Sequence, residues 1–237
     1  MRHFQEELED LQRNLLEMAG LVEYAVHESV QSLTLRDQER AQRVLVNEAR
    51  INQKEIYIDE MATRLLARHQ PMARDLRFLT VAIKINNDLE RMGDLAVNIV
   101  ERTLSLISKP PVKPLIDMPK LAQLAESMVH NSLDAFVRRD SDLATSVLVS
   151  DDTVDDLRDS ICRELVSFME QDPSTIARSL DLILVARNLE RIADHATNIA
   201  EDVLYMVEGE IQRHNQSTVA PGTAEELLQL GDQGRGD

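Results

Sequence analysis

One cysteine, Cys162, is all that 237 residues provide, so no intrachain disulfide can form and a reducing compartment is the natural setting. Tryptophan is absent, aromatic residues make up only 3%, and there are 7 glycines. A large β-sandwich draws on aromatic, β-branched and turn-forming residues that this chain does not supply. No apolar run reaches the roughly 18 residues that a membrane-spanning helix needs. The charged start, Met1 to Glu7, lacks the apolar stretch of a secretory signal. Basic residues are also short: 26 Lys and Arg face 42 Asp and Glu, a formal net charge of −16. That balance opposes non-specific nucleic-acid binding, which works by neutralising phosphates, and favours cations or basic surfaces as partners. A cytoplasmic protein with no nucleic-acid partner is expected.

What the chain does have is helix-forming stock, namely Leu, Ala, Glu, Arg, Gln and Met, arranged in a repeat. Asn188-Leu189-Glu190-Arg191-Ile192-Ala193-Asp194 and the following Ala196, Asn198, Ile199 and Glu201 echo Asn87-Asp88-Leu89-Glu90-Arg91-Met92-Gly93-Asp94 with Ala96, Asn98, Ile99 and Glu101, one hundred residues earlier. Internal repetition of this kind sets the architecture. Apolar residues recur every three and four positions: Phe4, Leu8, Leu11, Leu15, Met18, Val22 and Ala25 in one segment, Ile85, Leu89, Met92, Ala96 and Ile99 in another, Val185, Leu189, Ile192, Ala196 and Ile199 in its copy. This period predicts helices packed at shallow angles in bundles. The expected spans are 4–35, 38–69, 72–107, 118–139, 142–171 and 174–213. Asp37 and Asp172 are placed to cap helix N-termini, and Pro71 and Pro173 to sit in the first turns that follow. Lys109-Pro110-Pro111-Val112-Lys113-Pro114 cannot continue a helix. The chain thus divides into a first three-helix bundle, 1–109, a second, 113–213, and a mobile C-terminal tail, 214–237. The fold class is all-α, with two tandem three-helix repeats in contact.

Carboxylates mark one face of each repeat. Residues four apart are neighbours on a helix, so Glu90 lies beside Asp94, and Glu190 beside Asp194. These positions fall away from the apolar seam and are surface groups. Alignment of Val46-Asn47-Glu48 with Val149-Ser150-Asp151 sets Glu48 and Asn52 against Asp151 and Asp155. The second repeat therefore carries Asp151 and Asp155 on one helix and Glu190 and Asp194 on the next, and antiparallel packing can bring the four together. Hard divalent cations take such clustered oxygens, and a multinuclear site is one reading. A solvated acidic face is the other, since like charges at this spacing cost only about 0.2–0.5 kcal/mol per pair. Arg91 and Arg191 recur, and an ion pair inside the bundle is expected of them. Gly93 and Ala193 suit either close helix approach or room for a metal. His195 answers to Leu95 and stands outside the shared plan, and Cys162 answers to Asp59 as a half-buried packing residue. No Glu-x-x-His pairs of the di-iron type are present, nor a phosphate-binding glycine loop or a nucleophile elbow.

Three stretches together resemble the PhoU family, the accessory regulators of bacterial phosphate transport. They are Leu16-Glu17-Met18-Ala19-Gly20-Leu21-Val22-Glu23; Gln70-Pro71-Met72-Ala73-Arg74-Asp75-Leu76-Arg77 with Asp88 to Asp94; and Asn188 to Glu201. The resemblance spans roughly residues 5–210. It implies two three-helix bundles, often as a homodimer, with metal clusters on the bundle surface. Carried over residue by residue, the ligands it implies are Glu48, Glu90 and Asp94 in the first repeat and Asp151, Asp155, Glu190 and Asp194 in the second. The metal would be a divalent or trivalent ion, Fe, Zn, Mn or Mg. Asn52 departs from the pattern, where an Asp would stand, and removes one charge from the first site. The second repeat also lacks the Pro-x-Ala-x-Asp-Leu-Arg form, reading Pro173-Ser174-Thr175-Ile176-Ala177-Arg178 instead. The implied role is regulatory and not enzymatic: an adaptor between the ATPase subunit of the phosphate ABC transporter and a sensor histidine kinase, holding the starvation response off when phosphate is ample. Such a protein would be cytoplasmic and peripheral at the inner membrane through its partners. The rival readings are a regulator of a different transporter or channel and a metal-dependent hydrolase.

Overall fold

The computed structural model describes residues 2–115 and 117–209. They form six helices: α1 (Arg2–Leu35), α2 (Gln38–His69), α3 (Ala73–Ile107), α4 (Asp117–Arg138), α5 (Ser141–Gln171) and α6 (Ile176–Glu208). A short 3-10 turn, Pro173–Thr175, precedes α6. No strand occurs among the described residues. The tail expected at 214–237, and the last residues expected of the sixth helix, lie outside them.

The two repeats are built by the same local devices. α1 ends at Arg36, in the left-handed region with φ 55, and Asp37 then turns its side chain to accept from the backbone N–H of Glu39 and Arg40. α4 ends in the same way at Arg139, φ 56, and Asp140 accepts from the N–H of Leu143. Each aspartate satisfies first-turn donors that would otherwise be orphaned. Asp172 caps the 3-10 turn by accepting from Ser174, with Pro173 at its start as expected. Pro71 differs. α3 begins only at Ala73, with extended Met72 as its N-cap, so the proline lies outside the helix and the cap contributes no side-chain hydrogen bond. Gln70 (φ 46) and Ala73 (φ 47) both take left-handed φ, so the chain turns on either side of the proline.

α1 and α2 pack against α3, α4 and α5 against α6, and the repeats join along two seams, α3 against α6 and α1 against α4. The buried residues form one continuous apolar core through both repeats. Leu11, Leu15 and Met18 from α1, Ile51 and Ile58 from α2, and Ile85, Leu89, Met92 and Ile99 from α3 are fully buried. Each such side chain contributes about 1.5–3 kcal/mol of burial. At the α1–α4 seam the repeat closes on itself reciprocally: His27 meets Glu126 at 3.3 Å and His130 meets Glu23 at 3.2 Å. Along α3–α6, Lys84 meets Asp202 at 2.6 Å and His195 meets Asp88 at 2.8 Å. Rising numbers on one helix pair with falling numbers on the other in both seams, so both run antiparallel.

Gly93 settles one open question of the sequence. A Cβ there would lie 3.2 Å from Cδ1 and 3.3 Å from Cγ2 of Ile51. The missing side chain is what lets α2 approach α3 closely, the packing role of a small residue.

Candidate functional site: a carboxylate face on each repeat

In the second repeat, α5 and α6 bring the expected acids into one electrostatic neighbourhood. Glu190 and Asp194 sit one turn apart on α6, Asp151 and Asp155 one turn apart on α5. Burial pushes the Asp194 carboxyl up to about 6, helped by repulsion from Glu190, Asp151 and Asp155, with His195 pulling the other way. Asp151 is also raised, by burial first and then by Asp155, Asp152 and Glu190. Each of the four thus lies within repulsive reach of another. The apolar seam explains the placement: Leu189, Ile192 and Val154 are fully buried, which rotates Glu190 and Asp194 to the rim where α5 and α6 meet.

A cation already stands among them, and its residue was not singled out in the sequence. Arg158 reaches Asp155 Oδ1 at 2.8 Å, Asp159 Oδ1 at 3.3 Å and Glu190 Oε1 at 3.6 Å. Its side chain is only 24% exposed, and its Nε is buried without a hydrogen-bond partner. The guanidinium thus bridges α5 to α6 through the same acids that the resemblance assigns to metal. A signal for it exists in the sequence: Arg158 follows Asp155 by three residues, within reach on one helix face.

In the first repeat the equivalent of Arg158 is Glu55, so the same place carries a negative charge. Burial raises the Glu90 carboxyl, and repulsion from Asp94 and Glu55 adds to it. Glu48 stands half-buried on α2, two turns before Glu55, and Asn52 is exposed between them. Asn86, one turn before Glu90 on α3, donates from Nδ2 to the Glu55 carbonyl at 2.9 Å and ties this part of α2 to α3. Among the described residues no three His, Cys, Asp or Glu side chains converge as a preformed metal site. What the structure holds is two acidic faces, one neutralised in part by its own arginine, the other not.

Three further residues find their places. Arg91 and Arg191 are exposed and make no ion pair among the described residues, so the expectation of a pair inside the bundle is corrected. The apolar seam turns both outward, one position beyond Glu90 and Glu190. His195 pairs with Asp88 across the α3–α6 seam, which is why it has no counterpart in the first repeat: a single side chain serves the junction. Cys162 is half-buried, and burial pushes its thiol up, the direction that disfavours the thiolate. No described helix is long and apolar enough to cross a membrane.

Known proteins match this chain closely in sequence and fold. The PhoU domain pattern matches twice, over residues 15–103 and 118–203. A phosphate-specific transport system accessory protein PhoU homolog of Pseudomonas aeruginosa is 43% identical over 214 residues, covering 90% of this chain and 88% of that protein. The protein of that description from Aquifex aeolicus is 40% identical, over 88% of this chain and 94% of its own length. In Escherichia coli a phosphate-specific transport system accessory protein PhoU is 35% identical, over 89% of this chain and 88% of its own length. The crystal structure of PhoU from Pseudomonas aeruginosa superposes with a TM-score of 0.85, covering 87% of this chain and all of the other. The phosphate transport system regulatory protein PhoU from Streptococcus pneumoniae gives 0.82 at 28% identity, covering 88% of this chain and 98% of its own. With both repeats matched and relatives aligned almost end to end, the chain belongs to the PhoU domain family.

Proposed function

We propose that this protein is a regulatory accessory protein of phosphate transport and not an enzyme. It acts as a negative regulator of phosphate uptake and of the starvation response, as an adaptor between the ATPase subunit of a phosphate ABC transporter and a sensor histidine kinase. The observation that supports this best is the near-complete alignment of both repeats with proteins described as phosphate-specific transport system accessory proteins. The long helical faces of the two bundles suit docking, and the net charge of −16 suits basic patches on the partners. In this reading the protein is a cytoplasmic homodimer, held at the inner membrane only through its partners.

The acidic faces are the proposed cation sites, with Asp151, Asp155, Glu190 and Asp194 in the second repeat and Glu90, Asp94 and Glu48 in the first. Their oxygen-only donor set suits Mg²⁺ or Mn²⁺, while Zn²⁺ and Fe ions also accept carboxylate ligands. The raised Asp194 supports the fit, because burial first and then repulsion from its neighbours disfavour its charge, and a bound cation would offset both. When bound, the metal would supply positive charge that lets each helix pair keep its acids ionised together. Arg158 qualifies the fit in the second repeat, since its guanidinium must yield to a metal there.

The regulatory reading is tested in cells lacking the protein and grown in ample phosphate. Alkaline phosphatase activity should be high and should fall when the gene is supplied. Normal repression, with no redundant copy present, would overturn it in favour of a regulator serving another transporter. The cation sites are tested separately, by stripping the protein with a chelator and restoring Mn²⁺, Zn²⁺, Fe or Mg²⁺. Binding to the folded state alone raises the melting temperature, and a Glu190→Ala/Asp194→Ala variant that gained as much as wild type would sink the second site.

A further inference from the structure

Among the described residues, three arginines without partners gather at one place in a chain that has acids to spare. Arg74, Arg77 and Arg139 line a cavity of about 220 Å³, closed on its other sides by Phe78, Met206 and Val207. It lies where the start of α3, the end of α4 and the end of α6 meet. None of the three makes a hydrogen bond or ion pair among the described residues, and the Nε of Arg77 is buried with no acceptor. The first turn of α3 is likewise uncapped, since Met72 offers its N–H groups no side chain.

The repeat supplies an internal control. Arg36 is the equivalent of Arg139, in the same left-handed conformation after α1. Its guanidinium engages the end of α3 through Nη2, which donates to the carbonyl oxygens of Leu106, at 3.0 Å, Ile107 and Lys109. Arg178, near the start of α6, is also engaged, donating to the Pro110 carbonyl at 2.8 Å. Arg139 makes no such bond to the end of α6. Gly209, with φ 76, closes that helix by donating to the Tyr205 carbonyl. It passes so near Arg77 that a Cβ there would sit 3.7 Å from Cζ and Nη1 of the guanidinium. Capping a helix terminus thus explains Arg36 and leaves Arg74, Arg77 and Arg139 unexplained. Like charges gathered around a concave, partly apolar wall are costly unless an anion joins them, and the planar guanidinium fork matches the oxygens of a tetrahedral oxyanion.

We propose that this cavity binds a small tetrahedral oxyanion, of the class of inorganic phosphate and sulfate, between the start of α3 and the ends of α4 and α6. The site stands on its own geometry and goes beyond the regulatory reading. Its failure would appear as absent anion binding, whereas failure of that reading would appear as normal repression in cells.

The test is titration of the full-length, chelator-treated protein with inorganic phosphate, followed by calorimetry and by phosphorus NMR line broadening, with chloride at matched ionic strength as the reference. Saturable binding with a dissociation constant of about 1 mM or tighter is expected, with sulfate competing. Arg77→Ala should weaken it about tenfold, the loss of one charge-assisted hydrogen bond. Arg139→Asn should do the same, and asparagine keeps the left-handed turn accessible, so this variant folds even if the first does not. Arg178→Ala, whose guanidinium is already satisfied elsewhere, should bind as wild type. No saturation beyond the chloride reference would overturn the proposal. So would Arg77→Ala and Arg139→Asn variants, folded by circular dichroism, that bind phosphate like wild type.

Discussion

Replacing Arg158 with methionine separates the two cations that compete for the second acidic face. The guanidinium spans Asp155, Asp159 and Glu190 at 2.8, 3.3 and 3.6 Å and is mostly shielded from solvent. One charge-assisted hydrogen bond contributes about 1.5–3 kcal/mol when partly buried. The two longer contacts add little, since their acids are half-exposed or weakly aligned. Methionine keeps much of the side-chain volume and its apolar contacts. The net cost in chelator should therefore be ~2 kcal/mol, or a fall in melting temperature of about 4–8 °C for a chain of this size. Adding Mn²⁺ should raise the variant's melting temperature by more than it raises that of wild type, because the metal no longer has to displace the arginine. Scanning calorimetry of both proteins, with chelator and with metal, reads the difference directly. Equal losses in the two conditions would refute the idea that arginine and metal share the site. A variant as stable as wild type in chelator would refute the bridging role itself.

The same packing and charge geometry sets four other outcomes. Asp194→Asn should stabilise the metal-free protein at neutral pH and flatten its pH dependence. The wild-type carboxyl rises from 3.8 to about 6 on folding, so the folded state holds the extra proton between those values. Stability is then greatest below the lower one, declines as pH rises through about 6, and is level above. The full shift corresponds to ~3 kcal/mol, but Asp194 is exposed, and screening reduces this to about 1 kcal/mol; urea midpoints of both proteins at pH 5 and pH 7.5 measure it. Gly93→Val should cost about 1–3 kcal/mol through its clash with Ile51, and Ile51→Val should recover part of that, as urea denaturation would show. Asp88→Ala should destabilise the protein by ~1–2 kcal/mol by stranding His195 in the α3–α6 seam, and a double-mutant cycle with His195→Ala should show coupling. Asp140→Ala should lower stability by about 1 kcal/mol through loss of the α5 cap, measured by thermal unfolding, and serine should restore most of it.

Much of the fold was legible because it is carried by local chemistry. The three-and-four spacing of Leu11, Leu15, Met18 and Val22 needs no partner to be recognised, and the structure buries all four. Asp37 and Asp172 mark helix starts by a side chain that reaches only two or three residues on. Pro71 lies two residues before α3 and not in its first turn, because left-handed Gln70 and Ala73 change the direction of the chain around it. The acids of the candidate site were also visible, since residues four apart on a helix are neighbours whatever the helix packs against.

The reach of Arg158 across to Glu190 was not legible, nor was the role of Glu55. Each acts through a residue of the next helix, and the distance from α5 to α6 is set by packing. The pairing of His195 with Asp88, and the meeting of Arg74, Arg77 and Arg139 around one cavity, belong to the same class. The sequence by itself determined the helices, their apolar faces, the repeat and the family, because helix periodicity and capping are short-range. Only the tertiary structure decided which charges meet, because charges distant in sequence interact only after the apolar seams have set the rotation and spacing of the helices that carry them.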